Sequence, residues 1–207
     1  MTDAQWDAFV ASTVGGSHRQ TSAWGRLKAH QGWKTRRVVV SGAHRTRLAG
    51  GAQILFKPLP AIPFAGRIAY VVKGPLLAES DSSLGSRLLD EIDRVCRDER
   101  IRAVMVQPPE DAPPIESLLT AHGYLPSPVA LAPPATVVVD LDADVDVLWS
   151  RLSRQLRKNI RRAETRGVVV RPGERVDLGD FHRLLTAASE RLGYPISPRA
   201  YYEQLWE

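Results

Sequence analysis

A proline-rich stretch divides this chain and limits what it can fold into. Four of the nine residues from Pro126 to Pro134 are prolines. Proline cannot continue a helix and lacks the N–H that a central strand must donate. We therefore expect a domain boundary near Ala135, with a first domain over residues 1–134 and a second over residues 135–207. The second part is short for a self-sufficient domain, so it is either a very small domain or an incomplete one.

Hydrophobic spacing predicts an α+β first domain, with helices packed on a mostly antiparallel sheet. The clearest helix covers residues 84–96, where apolar side chains recur every three or four positions. The single cysteine, Cys96, belongs to this apolar stripe and is interpreted as a core residue. The other predicted helices cover residues 4–11, 22–31 and 115–122, and the predicted strands cover 36–41, 48–59, 67–72, 101–107 and a short piece near Tyr124.

The second part shows a different pattern. Two valine-rich runs predict strands over Thr136–Leu141 and Val168–Arg171, separated by one long helix. That helix carries an apolar residue at every fourth position, namely Leu148, Leu152, Leu156 and Ile160. A further helix is predicted up to Leu192, and another begins at Tyr201.

Basic residues are concentrated in one segment of the second part. Eight basic residues and one acid lie between Arg151 and Arg171, although the whole chain carries a net charge of only +5. A solvated helix face normally interleaves acids with its bases, so this segment favours an anionic partner. Arginine suits phosphate in particular, because its planar fork donates two parallel hydrogen bonds. The candidates on the predicted helix are Arg154, Arg157, Lys158, Arg161 and Arg162.

Several function classes find no support in the sequence. The chain contains neither a G-x-S-x-G elbow nor a GxxxxGK[ST] loop, and its histidines are not at metal-ligand spacing. An acetyl-CoA enzyme needs a glycine-rich turn at a helix start, but Ser82–Ser86 holds one glycine. We therefore expect no metal and no cofactor. No apolar run approaches the roughly 20 residues of a membrane span, and the N-terminus is acidic where a secretion signal is basic, so we expect a cytoplasmic protein.

Four short motifs occur in a fixed order. They are Gln20–Lys28 (QTSAWGRLK) followed by Gly32-Trp33, then Ala49–Leu55 (AGGAQIL), Ala69–Pro75 (AYVVKGP) and Leu152–Val170. Gln20, Trp24 and Lys28 are four residues apart and would share a face if the helix extends back to Gln20. In this order the motifs resemble the Fem-type aminoacyltransferases (FemA, FemB, FemX), which build peptidoglycan interpeptide bridges. The resemblance covers essentially the whole chain.

This resemblance implies a fold of tandem GNAT-like (acyl-CoA N-acyltransferase) domains, the second incomplete here. It also implies an aminoacyltransferase of cell-wall biogenesis, a process on which cell shape depends. The implied donor is aminoacyl-tRNA, and the implied acceptor is the stem peptide of a UDP-linked or lipid-linked (lipid II) muramyl precursor. The enzyme would have no integral membrane segment, with peripheral contact at the inner membrane face left open.

The resemblance also assigns roles to individual residues. Lys28 matches the family lysine that meets the precursor phosphates, and Trp24 would support it. Arg199, with Tyr201 nearby, would correspond to a phosphate-contacting arginine of the second domain. Lys73-Gly74 is interpreted first as a turn in which the glycine takes unusual dihedral angles, and second as a binding site. No catalytic base can be named from the sequence.

Some positions depart from the family pattern. Where some members have a tyrosine and an acid on and after the strand that follows the central helix, this chain has Val104 and Gln107-Pro108. For the basic segment, both the tRNA backbone and the precursor pyrophosphate are candidate ligands. Two other classes remain open, namely a non-catalytic RNA-binding module and an N-acyltransferase that uses a CoA thioester.

Overall fold

The structure is a computed structural model of the chain. It describes residues 1–42, 48–59, 66–78, 81–110, 115–133 and 135–207. These residues form two compact units, Met1–Pro134 and Ala135–Glu207. No helix of the described ranges has the length and apolarity needed to cross a bilayer. That the two units correspond to acyltransferase-like domains stays a prediction.

The first unit is α+β, as the hydrophobic pattern predicts. Its helices are α1 (Asp3–Ser12), α2 (Ser22–Ala29), α3 (Ser82–Asp98) and α4 (Ile115–Ala121), with a 3₁₀ turn at His18–Gln20 before α2. Its strands are β1 (Lys34–Ser41), β2 (Leu48–Pro58), β3 (Arg67–Val72), β4 (Leu76–Leu77) and β5 (Ile101–Gln107). The predicted strand near Tyr124 is wrong, because this segment is irregular. Tyr124 packs through its side chain instead, and its hydroxyl donates a hydrogen bond to Asp93 on α3.

One sheet organises the first unit. The strands follow the order β1-β2-β3-β5, and β4 pairs with β2. The pairs β1–β2, β2–β3 and β2–β4 are antiparallel, whereas β3 and β5 are parallel. A parallel pair needs a crossover, and α3 provides it between β3 and β5.

The core lies where α3 covers this sheet. Leu88 and Ile92 of α3 are fully buried against Ile54 of β2 and Val71 of β3 in a single cluster. A smaller cluster surrounds Trp6 of α1, whose ring would collide with any side chain at Gly51, since a Cβ there would lie 2.7 Å from the ring. This close approach explains the glycine in the middle of β2.

The second unit is helical in the part that the structure describes. Its helices are α5 (Val145–Arg151), α6 (Arg154–Thr165), α7 (Leu178–Leu192) and α8 (Arg199–Trp206), with a 3₁₀ turn at Arg175–Asp177. The predicted strands over 136–141 and 168–171 are wrong, since both segments lie outside any strand. Val138 is 87% exposed and Val170 is 91% exposed, so neither run has a sheet partner among the described residues.

The single long helix predicted for this unit is also wrong. The chain leaves the helical conformation at Leu152 and begins α6 with Ser153 as its N-cap. The Ser153 hydroxyl accepts a hydrogen bond from the N–H of Leu156 at 3.2 Å. Serine competes well for a helix N-terminus, so it starts a new helix although the apolar spacing continues through it.

Candidate anion-binding site

Helix α2 carries the first predicted site residues. Thr21 caps its N-terminus by accepting from the N–H of Trp24, and Gly32, with φ of +78°, follows its C-terminus. Trp24 and Lys28 are one turn apart, and the Lys28 Nζ lies 4.9 Å from the centroid of the Trp24 ring. The shared face predicted for these two residues is therefore present.

Gln20 does not belong to that face, contrary to the expectation of a longer helix. It lies in the 3₁₀ turn before α2 and is fully buried. Its side-chain amide donates to the carbonyl of Val72 at 2.7 Å and accepts from the N–H of Gln53 at 2.7 Å. Gln20 thus ties the start of α2 to β2 and β3 and fixes where Trp24 and Lys28 emerge.

Two further groups surround the Trp24 ring. The guanidinium of Arg19 lies 5.0 Å from the ring centroid, and the His18 ring meets it edge-on at 5.4 Å. Both contacts have the geometry of favourable interactions with an aromatic face. The Trp24 Nε1 is buried and has no hydrogen-bond partner among the described residues, which is unusual for an indole.

A second aromatic contact extends this surface. The Lys57 Nζ, at the end of β2, lies 4.5 Å from the centroid of the Trp33 ring, and Trp33 in turn packs on Tyr70 with centroids 4.9 Å apart. We call Arg19, Trp24, Lys28, Trp33 and Lys57 the basic-aromatic cluster.

Like charges face one another in the basic-aromatic cluster. Burial lowers the pKa of the Lys28 ammonium, and the positive charges of Arg19 and Lys57 lower this pKa further. The Lys28 Nζ donates to the amide oxygen of Gln31 at 2.8 Å. Neither Arg19 nor Lys57 forms an ion pair with a carboxylate of the residues that the structure describes. An anion bound among these cations would relieve their repulsion, so the cluster is suited to bind phosphate.

The Lys73-Gly74 turn differs from its interpretation. Lys73, rather than Gly74, has the left-handed backbone, with φ of +54°. Gly74 is needed for space, because a Cβ there would lie 2.9 Å from the side-chain nitrogen of Gln20. The Lys73 ammonium forms an ion pair with Glu110. The turn therefore packs against the Gln20 contact, and a binding role for it stays a prediction.

The start of α3 is where the CoA-dependent alternative would require a pyrophosphate to bind. Asp81 caps this helix, and its carboxylate accepts from the N–H groups of Ser83 at 2.8 Å and Leu84 at 3.4 Å. Bonds from the Ser83 side chain and from these N–H groups lower the pKa of Asp81. The lone glycine, Gly85, packs against Leu118, to which a Cβ would come within 2.6 Å. A pyrophosphate here would meet a negative charge, which disfavours CoA.

Gln107, one of the positions that depart from the family pattern, has a structural role. Its side-chain oxygen accepts from the N–H groups of Leu131 at 2.8 Å and Ala132 at 2.7 Å, and its nitrogen donates to the Ala132 carbonyl at 3.1 Å. These bonds hold the proline-rich stretch beside β5.

Helix α6 contains all five predicted phosphate-binding residues of the basic segment. The structure separates them by their contacts. The Arg157 guanidinium donates to the carbonyls of Ser150 at 2.9 Å and Leu152 at 2.6 Å, and Arg161 lies 5.6 Å from the Trp149 ring centroid. Arg157 is half-buried, whereas Arg161 and the other three are exposed. The three that form neither such a contact nor an ion pair with any acid in the described ranges are Arg154, Lys158 and Arg162.

The remaining predicted residues lie on α8. Arg199 donates to the carboxylate of Glu203 one turn later at 2.7 Å, and Tyr201 packs edge-on against Tyr202 with centroids 5.3 Å apart. Arg199 is thus engaged within its own helix, and its role with Tyr201 in phosphate binding stays a prediction.

Comparison with known proteins decides the family. The sequence pattern of the FemAB family matches residues 1–113 and 128–207. The chain belongs to the FemAB family. The predicted resemblance is therefore confirmed, and the α+β fold agrees with it.

Individual relatives are similar over the whole chain. Lipid II:glycine glycyltransferases from Staphylococcus aureus (strain MRSA252) and Staphylococcus haemolyticus (strain JCSC1435) are 25% and 26% identical to it. Each comparison covers 100% of this chain and 51% of the relative. The crystal structure of FemX matches with a TM-score of 0.80 and 26% identity, over 100% of this chain and 53% of FemX. The chain thus spans about half the length of the curated relatives it matches.

Sequence reasoning assigned no role to three members of the basic-aromatic cluster. Trp33 belongs to the first motif without a predicted role, Arg19 lies just before that motif, and Lys57 lies just after the second motif. A weak signal for Lys57 exists, since it is the only charged residue of β2, a largely buried strand. Nothing in the spacing of Arg19 connects it with Trp24, because that contact depends on the bend between the 3₁₀ turn and α2.

Proposed function

We propose that the protein containing this chain transfers an amino acid from aminoacyl-tRNA to the stem peptide of a muramyl precursor during cell-wall bridge formation. Membership of the FemAB family and the likeness to lipid II:glycine glycyltransferases support this activity. The single observation that carries the site assignment is the basic-aromatic cluster, in which the Lys28 Nζ and the Arg19 guanidinium lie 4.9 Å and 5.0 Å from the centroid of the same Trp24 ring. Burial lowers the pKa of Lys28, and the charges of Arg19 and Lys57 lower this pKa further.

The basic-aromatic cluster would bind the diphosphate of the precursor. Both UDP-linked and lipid-linked precursors carry a diphosphate, so this role does not depend on which of them is the acceptor. A charge-assisted hydrogen bond contributes about 1.5–3 kcal/mol. Loss of the Lys28 contact should therefore weaken acceptor binding by roughly 10- to 150-fold.

The transfer reaction requires little acid or base catalysis from protein side chains. The free amine of the stem peptide attacks the aminoacyl ester carbonyl, forming the C–N bond. The ester C–O bond then breaks, the terminal ribose oxygen of tRNA leaves, and the proton lost by the amine neutralises that oxygen. An activated ester needs mainly positioning of the amine and stabilisation of the oxyanion. Because charged tRNA is a cytoplasmic substrate, we place this reaction in the cytoplasm.

A transfer assay tests the proposal. The full-length protein is mixed with tRNA carrying a radiolabelled amino acid and with either UDP-linked or lipid-linked muramyl pentapeptide. We expect label on the stem peptide, and we expect Lys28→Met to raise the KM for the precursor. The matched control is Lys34→Met, which removes the exposed lysine at the start of β1. If the two variants behave alike, Lys28 does not bind the acceptor.

The alternative is an RNA-binding protein without turnover, and the exposed cations of α6 favour it. This alternative predicts tRNA binding in the absence of any transfer to either precursor. A CoA-dependent N-acyltransferase predicts acetyl transfer from acetyl-CoA, and the Asp81 cap argues against it. The same assay with acetyl-CoA in place of charged tRNA separates the two enzymes.

A further inference from the structure

Four exposed cations of α6 and its C-terminus form a continuous row. Arg154, Lys158 and Arg162 recur every four residues, so each lies beside the next on a path that winds slowly round the helix. Arg166, the C-cap residue, extends the row by one more step. A helix rises about 1.5 Å per residue, so neighbours in the row are about 6 Å apart along the helix axis and the row covers about 18 Å of that axis.

No acid of α6 interrupts this row. Glu164 is the only acidic residue of the helix, and it stands two residues from Arg162 and six from Lys158. Residues at these spacings do not face each other on a helix. All four members of the row are exposed, and none of them forms an ion pair within the described part of the chain.

The other two basic side chains of α6 contact α5. The Arg157 guanidinium satisfies carbonyls at the C-terminal end of α5, and Arg161 packs on Trp149 of α5. These contacts fix α6 against α5. Arg157 and Arg161 are therefore positioning residues, although in the sequence they cannot be distinguished from their neighbours.

We propose that the row Arg154, Lys158, Arg162 and Arg166 binds the sugar-phosphate backbone of the tRNA donor. This inference rests on the proposed function. A diphosphate could engage about two adjacent members of a row with 6 Å steps, whereas an RNA strand offers a phosphate to each. Three of the four residues are arginine, which binds phosphate oxygens bidentately. An anionic membrane would attract the same charges, so row-dependent binding to vesicles is one outcome of the test.

The test compares the salt dependence of tRNA binding. Affinity of the full-length protein for fluorescently labelled, uncharged tRNA is measured by anisotropy from about 50 to 200 mM salt. Each lost phosphate contact lowers the slope of log K against log salt by about one. We expect a fall of about one for Lys158→Gln and of about two to three for the triple variant Arg154→Gln, Lys158→Gln, Arg162→Gln.

Two matched controls accompany these variants. Arg157→Gln, next to Lys158, should leave the slope unchanged, because its guanidinium is bonded to backbone carbonyls. The triple variant Arg175→Gln, Arg183→Gln, Arg191→Gln removes three exposed charges elsewhere in the second unit and should leave the slope nearly unchanged. The proposal is overturned if the two triple variants agree, or if Arg157→Gln lowers the slope as much as Lys158→Gln.

Failure of this inference and failure of the proposed function can be told apart. If transfer occurs but the row variants bind tRNA normally, the row is not the RNA site and the enzyme assignment stands. If tRNA binding depends on the row but neither precursor is aminoacylated, the inference stands and the proposed function fails. Row-dependent binding to phosphatidylglycerol vesicles without tRNA binding would overturn the inference in favour of a membrane contact.

Discussion

The buried side chain of Gln20 offers the sharpest stability prediction, because its partners are all defined. Gln20→Ala removes the acceptor of the Gln53 N–H and a donor to the Val72 carbonyl, both at 2.7 Å. Each orphaned buried group costs about 1–3 kcal/mol. The free energy of unfolding of the first unit should therefore fall by about 2–6 kcal/mol.

The assay is urea unfolding followed by tryptophan fluorescence. Within these 207 residues, replacing Trp149 and Trp206 by Phe leaves tryptophans only in the first unit. The control is Gln5→Ala, which removes an exposed glutamine that bonds the N–H of Thr2 at the start of α1. We expect a loss of no more than about 1 kcal/mol for this control. A loss below about 1 kcal/mol for Gln20→Ala would refute the role assigned to Gln20.

Three further predictions concern single residues. Because the pKa of Lys28 is lowered, its ammonium loses its charge at a lower pH than an ordinary lysine, and diphosphate affinity should fall as pH rises through that pKa. Calorimetric titrations at increasing pH should show this fall, and the fall should be shallower for Lys28→Arg. Asp81→Ala should destabilise the first unit near neutral pH, because it removes the carboxylate that caps α3. In acid unfolding curves the difference from wild type should vanish as pH drops through the lowered pKa of Asp81, since the protonated carboxyl no longer caps the helix as an anion. Gly51→Ala should cost about 1–3 kcal/mol by overpacking the tryptophan ring, whereas Gly42→Ala, whose Cβ would meet only ordinary contacts, should stay within about 0.5 kcal/mol by thermal unfolding.

The elements of the first unit could be predicted well because local signals and tertiary packing agree there. The apolar stripe of α3 faces the sheet, and the predicted strands 67–72 and 101–107 match β3 and β5. The two predicted strands of the second unit failed for a physical reason. A run such as Val168-Val169-Val170 has strand propensity, but a strand requires a hydrogen-bonded neighbour, and local sequence does not reveal one.

The candidate site could be predicted only in part. The family resemblance assigned Lys28 and Trp24 to the site, and their helical spacing of four predicted that the two side chains share a face. Arg19 and Lys57 join them through the fold, since the bend before α2 and the end of β2 are not related in sequence. The structure also changed the role assigned to Arg157 from phosphate binding to a contact with α5. The number of charges in a segment cannot show that a guanidinium is hydrogen-bonded to the carbonyls of another helix.

The central claim is that the basic-aromatic cluster holds the anionic acceptor, and indole NMR tests it most directly. The full-length protein is labelled with ¹⁵N-tryptophan, the Trp24 resonance is assigned with Trp24→Phe, and UDP-linked muramyl pentapeptide is titrated. Because Arg19 and Lys28 lie on the Trp24 ring, their neutralisation by a diphosphate should shift its indole signal, while the signal of the buried Trp6 stays in place. Saturable binding of the precursor with an unchanged Trp24 signal would contradict the claim.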